Sequence, residues 1–172
     1  MSSFTLQLWD NESNYVTYYS VVKLNCNTTL MEVDKFFNCY YNNKYKDCAE
    51  DIMYLLIDAI GDKYGAVDDF FNRVENKAFA LPPKNSSSIE ALKLDYRNFP
   101  LRLFAYRVNE NIVILFNGGI KTARTAQNSS LSIKFYEAQQ FVTKIEEDLN
   151  NGDICISDDG KTLIYFNENE MM

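Results

Sequence analysis

The stretch "ILFNGGIKTARTAQNS", residues 114 to 129, sets Lys121 and Arg124 just beyond Asn117-Gly118-Gly119, where an apolar run gives way to a short basic loop. Cations gathered in this way are suited to holding an anion. A third is in reach, because "PLRLFAYRV" reads as a strand whose alternation sets Arg102, Phe104 and Tyr106 on one face, opposite Leu103 and Ala105. Residues 101 to 124 therefore outline a basic hairpin and loop, with a solvated sheet face as the bland alternative. A phosphate loop of the G-x-x-x-x-G-K-[ST] kind is excluded, since Ile120 separates Gly119 from Lys121 and the earlier glycine is missing. The adjacent acids Asp68-Asp69 and Asp158-Asp159 read as helix-start and turn residues rather than as catalytic pairs.

The chain has no histidine. Ser-His and Cys-His nucleophile pairs, an H-E-x-x-H metal site and a general base with an unperturbed pKa near neutrality are thereby excluded. Catalysis would rely on Lys, Arg, Tyr or carboxylates. Cys26, Cys39, Cys48 and Cys155 form no C-x-x-C pair, so they read as reduced thiols and no metal or organic cofactor is expected. The net charge of -7 argues against a nucleic-acid partner, but its distribution does not. Residues 84 to 135 hold eight Lys/Arg against three Asp/Glu, a local balance of +5, which leaves -12 for the remainder.

These residues need a scaffold. With 172 residues, 47% of them apolar, the chain is long enough for one well-buried core. No run approaches the length of a membrane helix and no signal-type segment opens the chain, so the expected location is cytoplasmic, with no membrane partner. "FTLQLWD" and "YVTYYSVV" predict an N-terminal β-hairpin. Thr29 and Glu32 have capping-box spacing ahead of Leu30, Val33, Phe37 and Tyr40, which predicts a first helix. Cys48, Ile52, Leu55, Leu56 and Ala59 predict a second helix closed by Gly61, and Val67, Phe70, Phe71 and Val74 a short third.

"ALPPKNSSS" marks a junction near residues 80 to 88. Beyond it "PLRLFAYRV" and "IVILF" flank Asn109-Glu110-Asn111 as an antiparallel hairpin, with Asn117-Gly118-Gly119 as a strand exit needing permissive backbone angles. Leu131, Phe135, Ala138, Val142, Ile145 and Leu149 give a helix one apolar stripe, capped by Ser129 or Ser130 and ended by Gly152. A last hairpin turns at Asp159-Gly160. The expected class is α+β, a small antiparallel sheet packed on helices with an N-terminal hairpin and helical insert. Residues 1–80 would form the hairpin and helical subdomain, and residues 81–172 the second hairpin, helix and C-terminal hairpin, in one compact unit.

"ALPP", then "LRLFAYRVNENIVILFNGGIKTARTAQNS", then a helix resembles the order of elements in RelE/HigB-type toxins of bacterial toxin-antitoxin systems, over about residues 80 to 149. "IKTARTA" is similar to that family's basic "K-K-T-x-K-T" loop, with Lys121 and Arg124 in the basic positions and Thr122 and Thr125 in the threonine positions. The resemblance implies a RelE-like fold and an endoribonuclease that cleaves messenger RNA on the ribosome with the ribose 2′-hydroxyl as nucleophile. It also implies an antitoxin protein as partner. Carried over by motif, Arg102 would contact the scissile phosphate, and Lys121 and Arg124 would position the backbone or balance developing charge. Tyr106 would stack on a base, and Arg97 in "LDYRNF" is a further RNA-binding candidate. Where one branch of the family has leucine-leucine-histidine, this chain has Leu115-Phe116, and the chain is acidic where the family is basic. The alternative is a catalytically inactive RelE-like module, carried by a mobile element, that binds a protein partner.

Overall fold

In a computed structural model, which describes residues 3–24, 26–121 and 130–165, the apolar runs become strands of a single central sheet. Strands β1 (Phe4–Asp10) and β2 (Thr17–Lys23) form the expected antiparallel hairpin. Helices α1 (Glu32–Tyr40) and α2 (Lys46–Tyr54) follow, then the short strands β3 (Val74–Glu75) and β4 (Ala78–Leu81) and the helix α3 (Ser87–Ala91). The second expected hairpin is β5 (Leu101–Asn109) and β6 (Ile112–Ile120), and the long helix is α4 (Ser130–Asn151). A separate small hairpin, β7 (Ile154–Ile156) with β8 (Leu163–Tyr165), turns at Asp159-Gly160 as its sequence predicts.

The class is α+β, as expected, but the sheet is neither small nor purely antiparallel. Its order is β1-β2-β6-β5-β4-β3, and β2 runs parallel to β6 with Thr17 opposite Ile112 and Ser20 opposite Leu115. The ladder carries the sheet across the junction near residue 80, so both halves of the chain contribute strands. Both faces are buried. Tyr18, Val113 and Leu115 point to one side with Phe36, Ile52 and Leu55 of the helical block, and Tyr19, Ile114 and Phe116 point to the other with Ala138, Val142 and Ile145 of α4. That is why "VTYYSVV" and "IVILF" read as unbroken apolar runs rather than as alternation.

Several local expectations change with packing. No capping box forms at α1: Met31 is its N-cap without a side-chain bond, and Glu32 is fully buried with Lys35 Nζ at 2.6 Å and Lys23 Nζ at 3.7 Å. The second helix does not stop at Gly61 but continues in π-helical turns, Leu55–Tyr64, and ends at Gly65 with φ of 79°. Gly61 instead lies against Ser13, whose Oγ would be 2.6 Å from an added Cβ. The third helix shrinks to a single tight turn, Asp68–Phe70, and Asp68 pairs with Arg107 at 2.6 Å. In the serine run, Ser86 caps α3 by accepting from the Ile89 amide.

Asn117-Gly118-Gly119 is not a strand exit, since β6 runs on to Ile120. A bulge between Leu103 and Ala105 presses Gly118 onto the backbone of β5, where an added Cβ would stand 1.8 Å from the Arg102 carbonyl oxygen. Gly118 is therefore required by close approach rather than by backbone angle. The cap expected at Ser129 or Ser130 lies outside the described side chains. Among the described residues no helix is long and apolar enough to cross a membrane.

Candidate functional site

The register of β5 on β6 sets Arg102 opposite Gly119 and Leu101 opposite Ile120, so Arg102 and Lys121 arrive at the same end of the hairpin. The Lys121 amide donates to the Pro100 carbonyl at 2.6 Å, which holds the chain there as it leaves the sheet. From the other side β4 pairs with β5, and the segment ahead of β3 delivers Arg73, whose Nε donates to the Pro82 carbonyl at 3.1 Å. Arg73, Lys84, Arg97, Arg102 and Lys121 then line one concave pocket of about 480 Å³ together with Asn85, Tyr96 and Phe99. Among the described residues five cations and no carboxylate line it, in a chain of net charge -7.

Arg102 is the buried member, at 9% exposure. One terminal nitrogen donates to the Phe99 and Leu101 carbonyls at 2.8 and 2.9 Å, which orients the guanidinium and leaves its Nε and other terminal nitrogen without a protein acceptor among the described residues. Burial, and then the like charge of Arg73, pull its pKa down to about 10, while Glu75 acts in the opposite sense. Burial also lowers the pKa of Arg73, again with Glu75 opposing. Among the described residues neither arginine has a carboxylate within 4.0 Å. Two partly desolvated guanidinium groups that repel each other, with Glu75 near but no carboxylate in ion-pair contact among the described residues, suit an anion in the electrostatic sense, because a bound oxyanion relieves both penalties. A second, smaller cleft of about 60 Å³ adjoins the pocket, lined by the same Arg73, Arg102 and Lys121 with Glu75, Phe104, Leu131 and Phe135.

The residues singled out in the sequence separate here. Arg97, Arg102 and Lys121 line the same pocket. Arg97 does so from an exposed position and already holds Asp95, with Nε to Oδ1 at 3.0 Å and the terminal nitrogen to Oδ2 at 2.7 Å. Those bonds, with the Arg97 amide and Asn85, hold the Asp95 carboxyl well below the usual carboxylate range. Tyr106 shares the Arg102 face but does not line the pocket: α4 passes over it, and its hydroxyl donates to Glu146 Oε2 at 3.2 Å. Burial, then the Glu146 charge, push its phenol up to about 12. Arg124 lies outside the described residues, as do Thr122 and Thr125. Arg73 and Lys84 are the cations that sequence reasoning missed. Arg73 sits in a segment whose apolar spacing reads as helix, and only the β3–β4–β5 ladder brings it beside Arg102.

Among the described residues no three Cys, Asp or Glu side chains converge as metal ligands. Comparison with known proteins finds no matching family model, no matching curated protein and no matching solved structure. The arrangement itself fits recognition of a phosphate or similar oxyanion by a pair of arginines with a lysine beside them.

Proposed function

We propose that the pocket binds a backbone phosphate of single-stranded RNA, and that the chain is a toxin-type endoribonuclease with a RelE-like hairpin and helix. The observation that carries this reading is the Arg73–Arg102 pair, desolvated and without a carboxylate at ion-pair distance among the described residues, at the one end of the hairpin where Lys121 also lies. Attack of a ribose 2′-hydroxyl on the adjacent phosphorus would form a 2′,3′-cyclic phosphate and break the bond to the 5′-oxygen. The arginines would hold the charge that gathers on the non-bridging oxygens. Lys121 would protonate the leaving 5′-oxygen, and the 2′ proton would pass to solvent. The negative charge carried outside the basic segment favours contact confined to this pocket, with messenger RNA on the ribosome as the substrate and an antitoxin protein as the natural restraint.

The test is expression in a bacterial host beside an Arg73→Ala/Lys121→Ala double variant, followed by RNA cleavage assays with and without ribosomes. Slowed growth and cleavage by the intact chain, both relieved in the variant, are the expected result. Harmless expression at matched level, with RNA left whole in both assays, would sink it.

A second reading has its own observation. Ile133 and Tyr136, at 62% and 63% exposure, project an apolar pair from the first turns of α4, close to the Leu131 and Phe135 that line the small cleft. A catalytically inactive module binding a protein partner there would leave RNA uncut and would lose that partner on Ile133→Asp/Tyr136→Asp substitution.

A further inference from the structure

We propose that the small cleft beside the arginines is a hydroxyl subsite, in which Glu75 accepts a hydrogen bond from the ribose 2′-hydroxyl of the nucleotide on the 5′-oxygen side of the phosphate the arginines hold, not from the attacking hydroxyl, so that the site selects RNA over DNA. This rests on the phosphate-binding reading of the larger pocket. The cleft and the pocket share Arg73, Arg102 and Lys121, so a group entering the cleft is attached within one sugar-phosphate repeat of an anion on the arginines. At about 60 Å³ the cleft admits a few non-hydrogen atoms, the edge of a sugar and not a base.

Its chemistry is narrow. Arg73, Arg102 and Lys121 offer only donors, and Phe104, Leu131 and Phe135 offer neither donors nor acceptors, so Glu75 supplies the acceptor among the lining side chains. Glu75 is half-buried, and among the described residues its carboxylate has no hydrogen bond and no cation within 4.0 Å. Its backbone is fixed, because Gln139 Nε2 donates to the Glu75 carbonyl at 2.8 Å while Gln139 Oε1 accepts from the Lys77 amide at 2.8 Å. A carboxylate held in place, next to arginines it does not touch, is matched to a donor that arrives with the ligand. The 2′-hydroxyl is the donor that distinguishes RNA from DNA.

The experiment measures, by fluorescence anisotropy, binding of one short single-stranded sequence as RNA, as DNA and as its 2′-O-methyl form. Gels of the same samples report any cleavage. Wild-type protein is expected to bind RNA at least about fivefold more tightly than the other two. Glu75→Leu brings that ratio close to one, and Glu75→Gln, which keeps an acceptor, retains part of it. Both variants bind DNA more tightly than wild type because a negative charge has gone. A wild-type ratio of one, or a ratio unchanged in Glu75→Leu, overturns the proposal while leaving the phosphate site standing, with Glu75 acting as a counter-charge alone. Binding of neither RNA nor DNA in an Arg73-dependent, salt-sensitive manner removes the phosphate reading and this inference with it.

Discussion

Around Glu32 the molecule closes its charges on themselves, whereas around Arg102 it leaves them open. Glu32 has Lys23 and Lys35 within ion-pair distance, Lys23 reaches Glu137 at 2.5 Å, and Lys134 joins Glu137 at 3.5 Å. Arg73 and Arg102 have their orienting carbonyls and no such carboxylate among the described residues. The two clusters flank the same end of β6, where Asn117 Nδ2 points to Glu32 Oε1 at 3.5 Å and the next residue, Gly118, packs on Arg102. A buried charge that meets its partner inside the protein is a structural tie; one that does not is a candidate position for a ligand. The same chain, within one strand's width, does both.

That contrast can be broken at several points. Glu32→Ala should have the largest effect, since it removes a fully buried carboxylate and takes from Lys35 its ion-pair partner while Lys23 keeps Glu137: about 3 kcal/mol of stability and roughly 10 °C in thermal midpoint. A midpoint within a degree or two of wild type would show that the network is not a tie. Gly118→Ala should cost about 2 to 3 kcal/mol through its clash with the Arg102 carbonyl. Gly119→Ala, whose added Cβ would meet Leu131 at 3.4 Å, should stay within about 0.5 kcal/mol, and denaturant titration of the pair separates backbone contact from glycine content as the cause.

Arg73→Ala should show the opposite balance to Glu32→Ala, with stability held or slightly raised by the loss of a like charge and RNA affinity lowered about tenfold. Equal losses of both, by calorimetry and anisotropy, would make the pocket a structural feature. The pH response of Arg102 is a finer test. With its folded-state pKa lowered from 12.5 to about 10, the native state sheds a proton that the unfolded chain keeps between those values. The penalty for burying the charge is then fully present below about pH 10 and is relieved as pH rises through that window, so this group's contribution to stability increases with pH there. Carbon-detected NMR of the guanidinium should place its midpoint near 10 in wild type, higher in Arg73→Ala and higher with phosphate bound; a midpoint unmoved by either would deny the coupling. Smallest of all, Lys121→Ala at an exposed position should weaken RNA binding a few-fold and lower the salt slope by about one, leaving stability unchanged.

Much of the site's frame is written locally in the chain. The turn at Asn109-Glu110-Asn111 pins the β5–β6 register, and with it the approach of Arg102 to Lys121. The stripe from Leu131 to Leu149 fixes the buried face of α4. What could not be read is what depends on distant partners. The parallel pairing of β2 with β6 leaves no local mark beyond two apolar runs without alternation. Alternation put Tyr106 on the Arg102 face but could not say that Glu146 of α4 takes the Tyr106 hydroxyl while Arg102 lines an open pocket. Glycine spacing suggested a strand exit, when the cause of Gly118 is a bulge in the strand opposite. Arg73 becomes a site residue only through a ladder that ends four strands from the N-terminal hairpin.

The parallel β2–β6 pairing has a consequence for how the chain is made. Thr17 to Ser20 find their neighbours at residues 112 to 115, so a nascent chain carries the hairpin and its helices, with their apolar faces uncovered, until residues 112 to 115 have left the ribosome. The pocket's arginines come together in that same late step, because β6 both completes the core of the sheet and supports β5. An N-terminal fragment ending before residue 112 lacks the strand it needs to close, and the protein acquires its cationic pocket only when it acquires its fold.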